Sequence, residues 1–208
     1  MKLLWKGECK NLNQLDKGKL PLNAVKYKEP DSFLWFNLTS MLYGLLLLPV
    51  IFIFAAIKTA IGFDGFSFSI FNNWGFVLAI VAILPHELIH AFCYPKNAEV
   101  ELWYSKKHLI AFVHSTFPMT KNRFLFVSIS PMIILGVLPL IIWSITDFRL
   151  SAQLFSFGGA SLLFCAGDLM NIVNTLRQVP KNGMIQNSGL NSFWFVDESE
   201  MKILEEAT

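Results

Sequence analysis

From Phe33 to Ile57 the chain runs without one charged side chain, and this stretch limits the possible folds more than any other feature. About 20 consecutive apolar residues cross the hydrocarbon core of a bilayer as a helix. Three further stretches of similar length follow, at about 74–94, 124–146 and 150–173, so the pattern predicts four transmembrane helices. Composition agrees, since 54% of the 208 residues are hydrophobic and 15% are charged, where a soluble domain has about a quarter charged. Twenty phenylalanines and six tryptophans suit lipid and its interface. The net charge of +2 gives no reason to expect nucleic acid as a partner; the lipid bilayer is the expected one.

Fifteen of the 17 Lys and Arg residues fall in the N-terminal tail, between the second and third stretches, or in the C-terminal tail. Only Lys58 and Arg149 flank the opposite ends. Cytoplasmic segments collect basic residues, so the expectation is a multi-pass membrane protein with both termini cytoplasmic, and the Lys, Asn, Ile and Phe usage points to a bacterial plasma membrane. The N-terminus has no apolar core segment and predicts no cleaved signal peptide. Gly62 to Phe71 reads as an external interfacial loop. Cys9, Cys93 and Cys165 have no metal-ribbon spacing, and the latter two read as small hydrophobes in apolar surroundings.

In the second basic segment, Glu99–Tyr104 alternates charged and apolar residues, Ser105–Lys107 is turn-like, and His108–Val113 is apolar again. This predicts a hairpin, whose edge either holds an extended peptide by strand addition or only caps helix ends. Phe193–Val196 reads as a short strand or an interfacial anchor. The fold expected is thus an all-α polytopic membrane protein, a single membrane domain over residues 1–208. It has four transmembrane helices and a small cytoplasmic β-hairpin between helices two and three. Pro85, Pro131 and Pro139 are candidate kink points.

The ionisable side chains inside the four stretches are His86, Glu87, His90 and Asp168. A carboxylate at the bilayer centre costs roughly 2.5–3.5 kcal/mol on insertion scales, and a shared cation would offset that. His86-Glu87-Leu88-Ile89-His90 is an H-E-x-x-H pattern. On a helix its two histidines share a face and can grip one zinc ion, while Glu87, about 100° round, can act as general base to a water on it. Catalytic zinc takes three protein ligands, and Asp168 is the remaining carboxylate in a span. His86 and Asp168 also lie at similar depth below the cytoplasmic side. Asn171, one turn beyond Asp168, reads as a ligand-orienting group, an oxyanion donor, or an interhelical hydrogen-bonding residue. Gly167 suits close approach of a helix or substrate backbone. His108 and His114 have no paired ligand spacing and read as surface residues; Cys93 reads as packing.

With Leu84–Ala91, Ile129-Ser130-Pro131 and Ala166-Gly167-Asp168 in place, the chain resembles a bacterial family of small membrane-embedded zincin peptidases known mainly as a domain of unknown function. More distantly it is similar to site-2 intramembrane metalloproteases, although here Gly167 precedes the aspartate. The resemblance implies zinc on His86, His90 and Asp168, with Glu87 as base. The expected activity is therefore a zinc-dependent intramembrane metallopeptidase acting on a membrane-associated protein or peptide. The alternatives are a non-catalytic metal-binding membrane protein, transporter or sensor, which needs no poised base, and a structural membrane protein, which does not account for the spacing.

Overall fold

Proline placement accounts for most of the breaks in the apolar stretches. The computed structural model describes residues 1–30, 32–65, 72–107, 110–146 and 151–196. The first stretch forms α1 (Phe33–Leu45) and α2 (Leu48–Ala60). Pro49 sits in the first turn of α2, where a missing amide costs no helical hydrogen bond. Ser32 caps α1 by accepting from the Trp35 amide at 3.2 Å. In the second stretch, Pro85 lacks an amide and its ring crowds the carbonyl four residues earlier, that of Val81. There the helix divides into α3 (Asn73–Val81) and α4 (Ile83–Cys93), bent by 42°. Pro131 ends α5 (Lys121–Pro131) and Pro139 lies in the first turn of α6 (Leu138–Ile145), with a π-helical turn, Met132–Val137, between them. The last stretch forms α7 (Ser151–Phe164) and α8 (Ala166–Gln178), bent by 46° at Cys165.

Two helical segments, Leu34–Ala60 and Lys121–Ile145, are long and apolar enough to cross a membrane, and four are if each bent pair is one span. The expected loop at Gly62–Phe71 falls mostly outside the described residues, as do His108 and Arg149.

The chain forms two compact units. One comprises Ser32–His86 and Ser128–Met170 and is helical. Small residues let its helices approach closely: Gly75 lies against Gln153 and Ser156, and Gly158 against Pro139. Trp143 stacks at a tilt on Phe155, centroids 4.5 Å apart. Trp35, Met41, Phe52, Ile53 and Val81 are each more than half exposed, an apolar exterior suited to lipid. Lys58, read from sequence as a flanking charge, is buried. Its Nζ donates to the Trp143 carbonyl at 3.0 Å and the Thr146 carbonyl at 2.6 Å and lies 4.8 Å from the Trp143 ring centroid. It therefore closes the C-terminal end of α6, where backbone carbonyls lack helical partners. Lys58→Met is expected to destabilise the protein by about 1–3 kcal/mol for each stranded carbonyl, measured by denaturant titration in detergent.

The other unit comprises Met1–Asp31, Glu87–Val127 and Asn171–Thr208 and carries two sheets, which overturns the all-α expectation. In the first sheet β1 (Lys2–Glu8) pairs in parallel with β3 (Glu99–Ser105), which pairs antiparallel with β4 (Ile110–His114). In the second the order is β2 (Val25–Lys26), β7 (Asn191–Val196), β6 (Gly183–Ser188), β5 (Met119–Thr120). The expected hairpin is present as β3–β4, and Phe193–Val196 is strand. What sequence reading took for tails are strands as well. β1 escaped because a bulge at Lys6 breaks its alternation, and because parallel pairing with β3 needs no adjacent turn to announce it. The Lys2–Glu99 ion pair across this ladder joins residues 97 apart in sequence.

Tyr27, Ala91, Tyr94, Val100, Met119 and Ile185 form this unit's core. Cys93 packs on it, as expected. Lys121 and Arg123 close helix ends in turn, donating to the Val179 carbonyl at 2.6 Å and the Tyr94 carbonyl at 3.2 Å.

His114 corrects a second expectation, being buried rather than on the surface. Its Nε2 donates to the Gly189 carbonyl at 3.1 Å, and its Nδ1 lies 3.5 Å from the buried Glu101 carboxylate. Lys6, re-aimed by the bulge, pairs with Glu101 at 2.7 Å, and the Trp103 indole donates to it at 2.9 Å. Burial pushes the Glu101 carboxyl upward, but the hydrogen bonds from Lys6 and Trp103 and the Lys6 charge outweigh it and hold the pKa below its usual value.

Candidate metal centre

The His86 amide donates to the Ala82 carbonyl at 2.8 Å, so helical bonding carries across the break ahead of the H-E-x-x-H residues. Along α4, His86 and His90 are one turn apart on one face. On α8, Asp168 lies in the first turn after the bend at Cys165 and brings Oδ2 to 3.1 Å from His86 Nε2. His86, His90 and Asp168 each offer one ligand atom, and these atoms lie within 4.8 Å of one another.

The outer nitrogens of both imidazoles have partners. His90 Nδ1 is 2.9 Å from the Val127 carbonyl, which only accepts, so this nitrogen carries the proton and Nε2 is the nitrogen able to ligate a metal. His86 Nδ1 lies 3.9 Å from Cys165 Sγ. Glu87, the next residue along α4, accepts the Val113 amide of β4 on Oε2 at 2.9 Å. Asn171, half-buried, follows Asp168 by one turn of α8. No described atom lies within 4 Å of where a side chain on Gly167 would begin, so no close helix contact explains that glycine.

The donor set fits zinc. Two imidazole nitrogens and one carboxylate oxygen leave the fourth tetrahedral position open. Zinc–ligand bonds of about 2.0–2.1 Å place neighbouring ligand atoms about 3.3 Å apart, and the His86–Asp168 separation is already close to that.

A family model described as "putative zincin peptidase" matches residues 79–184, half of the chain, including all of these residues. The chain belongs to this family. No curated protein and no solved structure matches it. The match begins in α3 and ends in β6, so the family's segment takes in β3 and β4 as well as the helices that carry the ligands.

Three contributors were not visible in the sequence. The Val127 carbonyl and the Val113 amide are backbone groups, which no side-chain pattern announces. Cys165 was read as a small hydrophobe, although its place three residues before Asp168 sets it on that residue's side of the chain.

Proposed function

We propose that this family member is a zinc-dependent metallopeptidase working at a membrane, with His86, His90 and Asp168 as ligands and Glu87 as general base. The observation that carries the reading is the placing of Glu87. Its carboxylate is anchored on the free edge of β4 while the adjacent His86 faces Asp168. A site built only to bind a metal needs the ligands but no carboxylate oriented in this way.

Zinc bound there supplies a Lewis acid for a carbonyl and lowers the pKa of a water toward neutrality. The chain's own groups do the rest. Glu87 takes a proton from the attacking water onto its carboxylate and returns it to the leaving amine nitrogen. Because Oε2 accepts from Val113, the carboxylate is held in one orientation and remains an acceptor. Asn171 supplies an amide that can donate to the oxygen gaining charge.

The Val113 amide points away from β3, which makes Leu102↔Val113 a pair without mutual bonds. By alternation Ala111 presents its amide and carbonyl to the same edge. A substrate chain lying there in extended form is held by backbone hydrogen bonds beside Glu87. The substrate class is thus a membrane-associated protein or peptide with a stretch able to unwind near the cytoplasmic side. On this reading both termini lie in the cytoplasm. In support, strands from the N-terminal tail, the middle segment and the C-terminal tail pair with one another in one unit, and these are the segments that hold the basic residues.

The test is hydrolysis by zinc-loaded protein in liposomes, using quenched fluorogenic peptides with apolar segments. Cleavage by the wild type and a fall of about 10²–10⁴-fold in Glu87→Gln is the expected result. Stoichiometric zinc with no cleavage of any peptide in either protein replaces the peptidase reading with that of a metal sensor or carrier.

A further inference from the structure

We infer that Cys165 is a positioning residue for the metal centre, fixing the ring of His86 through its outer nitrogen. The inference rests on the zinc reading above and concerns how the first ligand is held. A metal-bound imidazole keeps a proton on its other nitrogen, and that N–H needs an acceptor to set tautomer and ring angle. For His90 the acceptor is the Val127 carbonyl. For His86, Nε2 faces Asp168 and Nδ1 faces Cys165 Sγ at 3.9 Å.

The sulfur is suited to accept. Cys165 is fully buried, and its Sγ–H donates to the Ser161 carbonyl at 3.2 Å, so it is a thiol with lone pairs directed away from that bond. Protons then run in one direction, from His86 Nδ1–H to Sγ and from Sγ–H to the Ser161 carbonyl. Cys165 meets Nδ1 and not the Nε2 that faces Asp168, so it orients the ligand without being one.

Its backbone also ties the two ligands together. The Cys165 amide donates to the Leu162 carbonyl at 3.1 Å, and its carbonyl accepts from the Leu169 amide at 2.9 Å. The residue is therefore fixed at the bend between α7 and α8 by the end of one helix and the first turn of the other. The side chain that holds His86 and the carboxylate of Asp168 move as one piece. A neutral thiol also differs from the carboxylate that often fills this place, because it steadies the imidazole without adding negative charge to the site.

The experiment uses the full chain purified in detergent, with zinc affinity measured by chelator competition and the melting temperature recorded without metal. Cys165→Ala is expected to weaken zinc binding by about 10–100-fold, the usual effect of removing a ligand-orienting partner. Cys165→Ser, which keeps a lone-pair acceptor and a donor, is expected to recover most of that loss. All three proteins should melt alike without metal. Cobalt(II) in the wild type should give a four-coordinate visible spectrum with no thiolate charge-transfer band.

Equal zinc affinity in wild type and Cys165→Ala overturns the assignment. So does a loss shared by both variants with a lowered metal-free melting temperature, which marks a packing role, and so does a thiolate band, which marks a ligand. A wild type that binds no zinc removes the metal reading and this inference with it. That result is recognisable because all three proteins are then alike and empty.

Discussion

His86→Ala and Asp168→Ala are expected to leave the purified protein without zinc, while Glu87→Gln retains about one ion per chain, as a single catalytic site requires. The difference follows from where the side chains point. His86 Nε2 and Asp168 Oδ2 lie 3.1 Å apart with His90 one turn further along α4, so either substitution leaves two ligands of three. Glu87 is not one of the three clustered residues and accepts the Val113 amide on Oε2, so its amide analogue removes a base without removing a ligand. Elemental analysis of the four proteins side by side reads this directly. Zinc missing from the wild type even after it is supplied would end the metalloenzyme reading. Equal zinc in Asp168→Ala would reassign the third ligand.

The second large effect concerns Glu101. Glu101→Ala is expected to destabilise the protein by about 3 kcal/mol, the lower end for breaking a buried ion pair, because Lys6 keeps some solvent contact. The Trp103 indole and His114 would then face a gap where a carboxylate had been. pH separates charge from packing. The folded-state pKa of Glu101 lies below its unfolded value, so its contribution is complete above the ordinary carboxyl range and is lost as pH falls through the depressed value. The stability gap between wild type and Glu101→Gln should therefore be full at neutral pH and narrow in acid. A gap constant with pH would mean that the charge contributes nothing.

How much of this was legible depended on whether the signal was local. The four apolar stretches announce themselves by composition, and helices occupy them, but as α1–α8 with breaks rather than as four continuous helices, two segments being long and apolar enough to cross a membrane, or four if each bent pair is one span. Their breaks at Val81 and near Met132 follow from Pro85, Pro131 and Pro139. The bend at Cys165 has no proline behind it and was not foreseen. The β3–β4 hairpin was readable because both strands and their turn are adjacent. The partners of β1 and β2 lie far along the chain, and a two-residue strand such as β2 has no pattern at all. At the site, spacing along one helix identified His86, Glu87 and His90. Asp168 came from the rarity of carboxylates in apolar segments. His114 was misread because its burial comes from Glu101, across the ladder, and from the β6–β7 turn, neither of them a neighbour in sequence.

The sheets also bear on which stray chains this protein turns away. An unpaired strand border attracts any extended polypeptide, and proteins guard against it by keeping borders short, charged or bulged. Here β2 and β5, the borders of one sheet, are two residues each. β1, at one border of the other, has lysines at Lys2 and Lys6 and is interrupted by its bulge. Among the described strands that leaves β4, whose Val113 amide is bonded to Glu87, as the border without such a guard, and it is the one that the proposed strand addition would use.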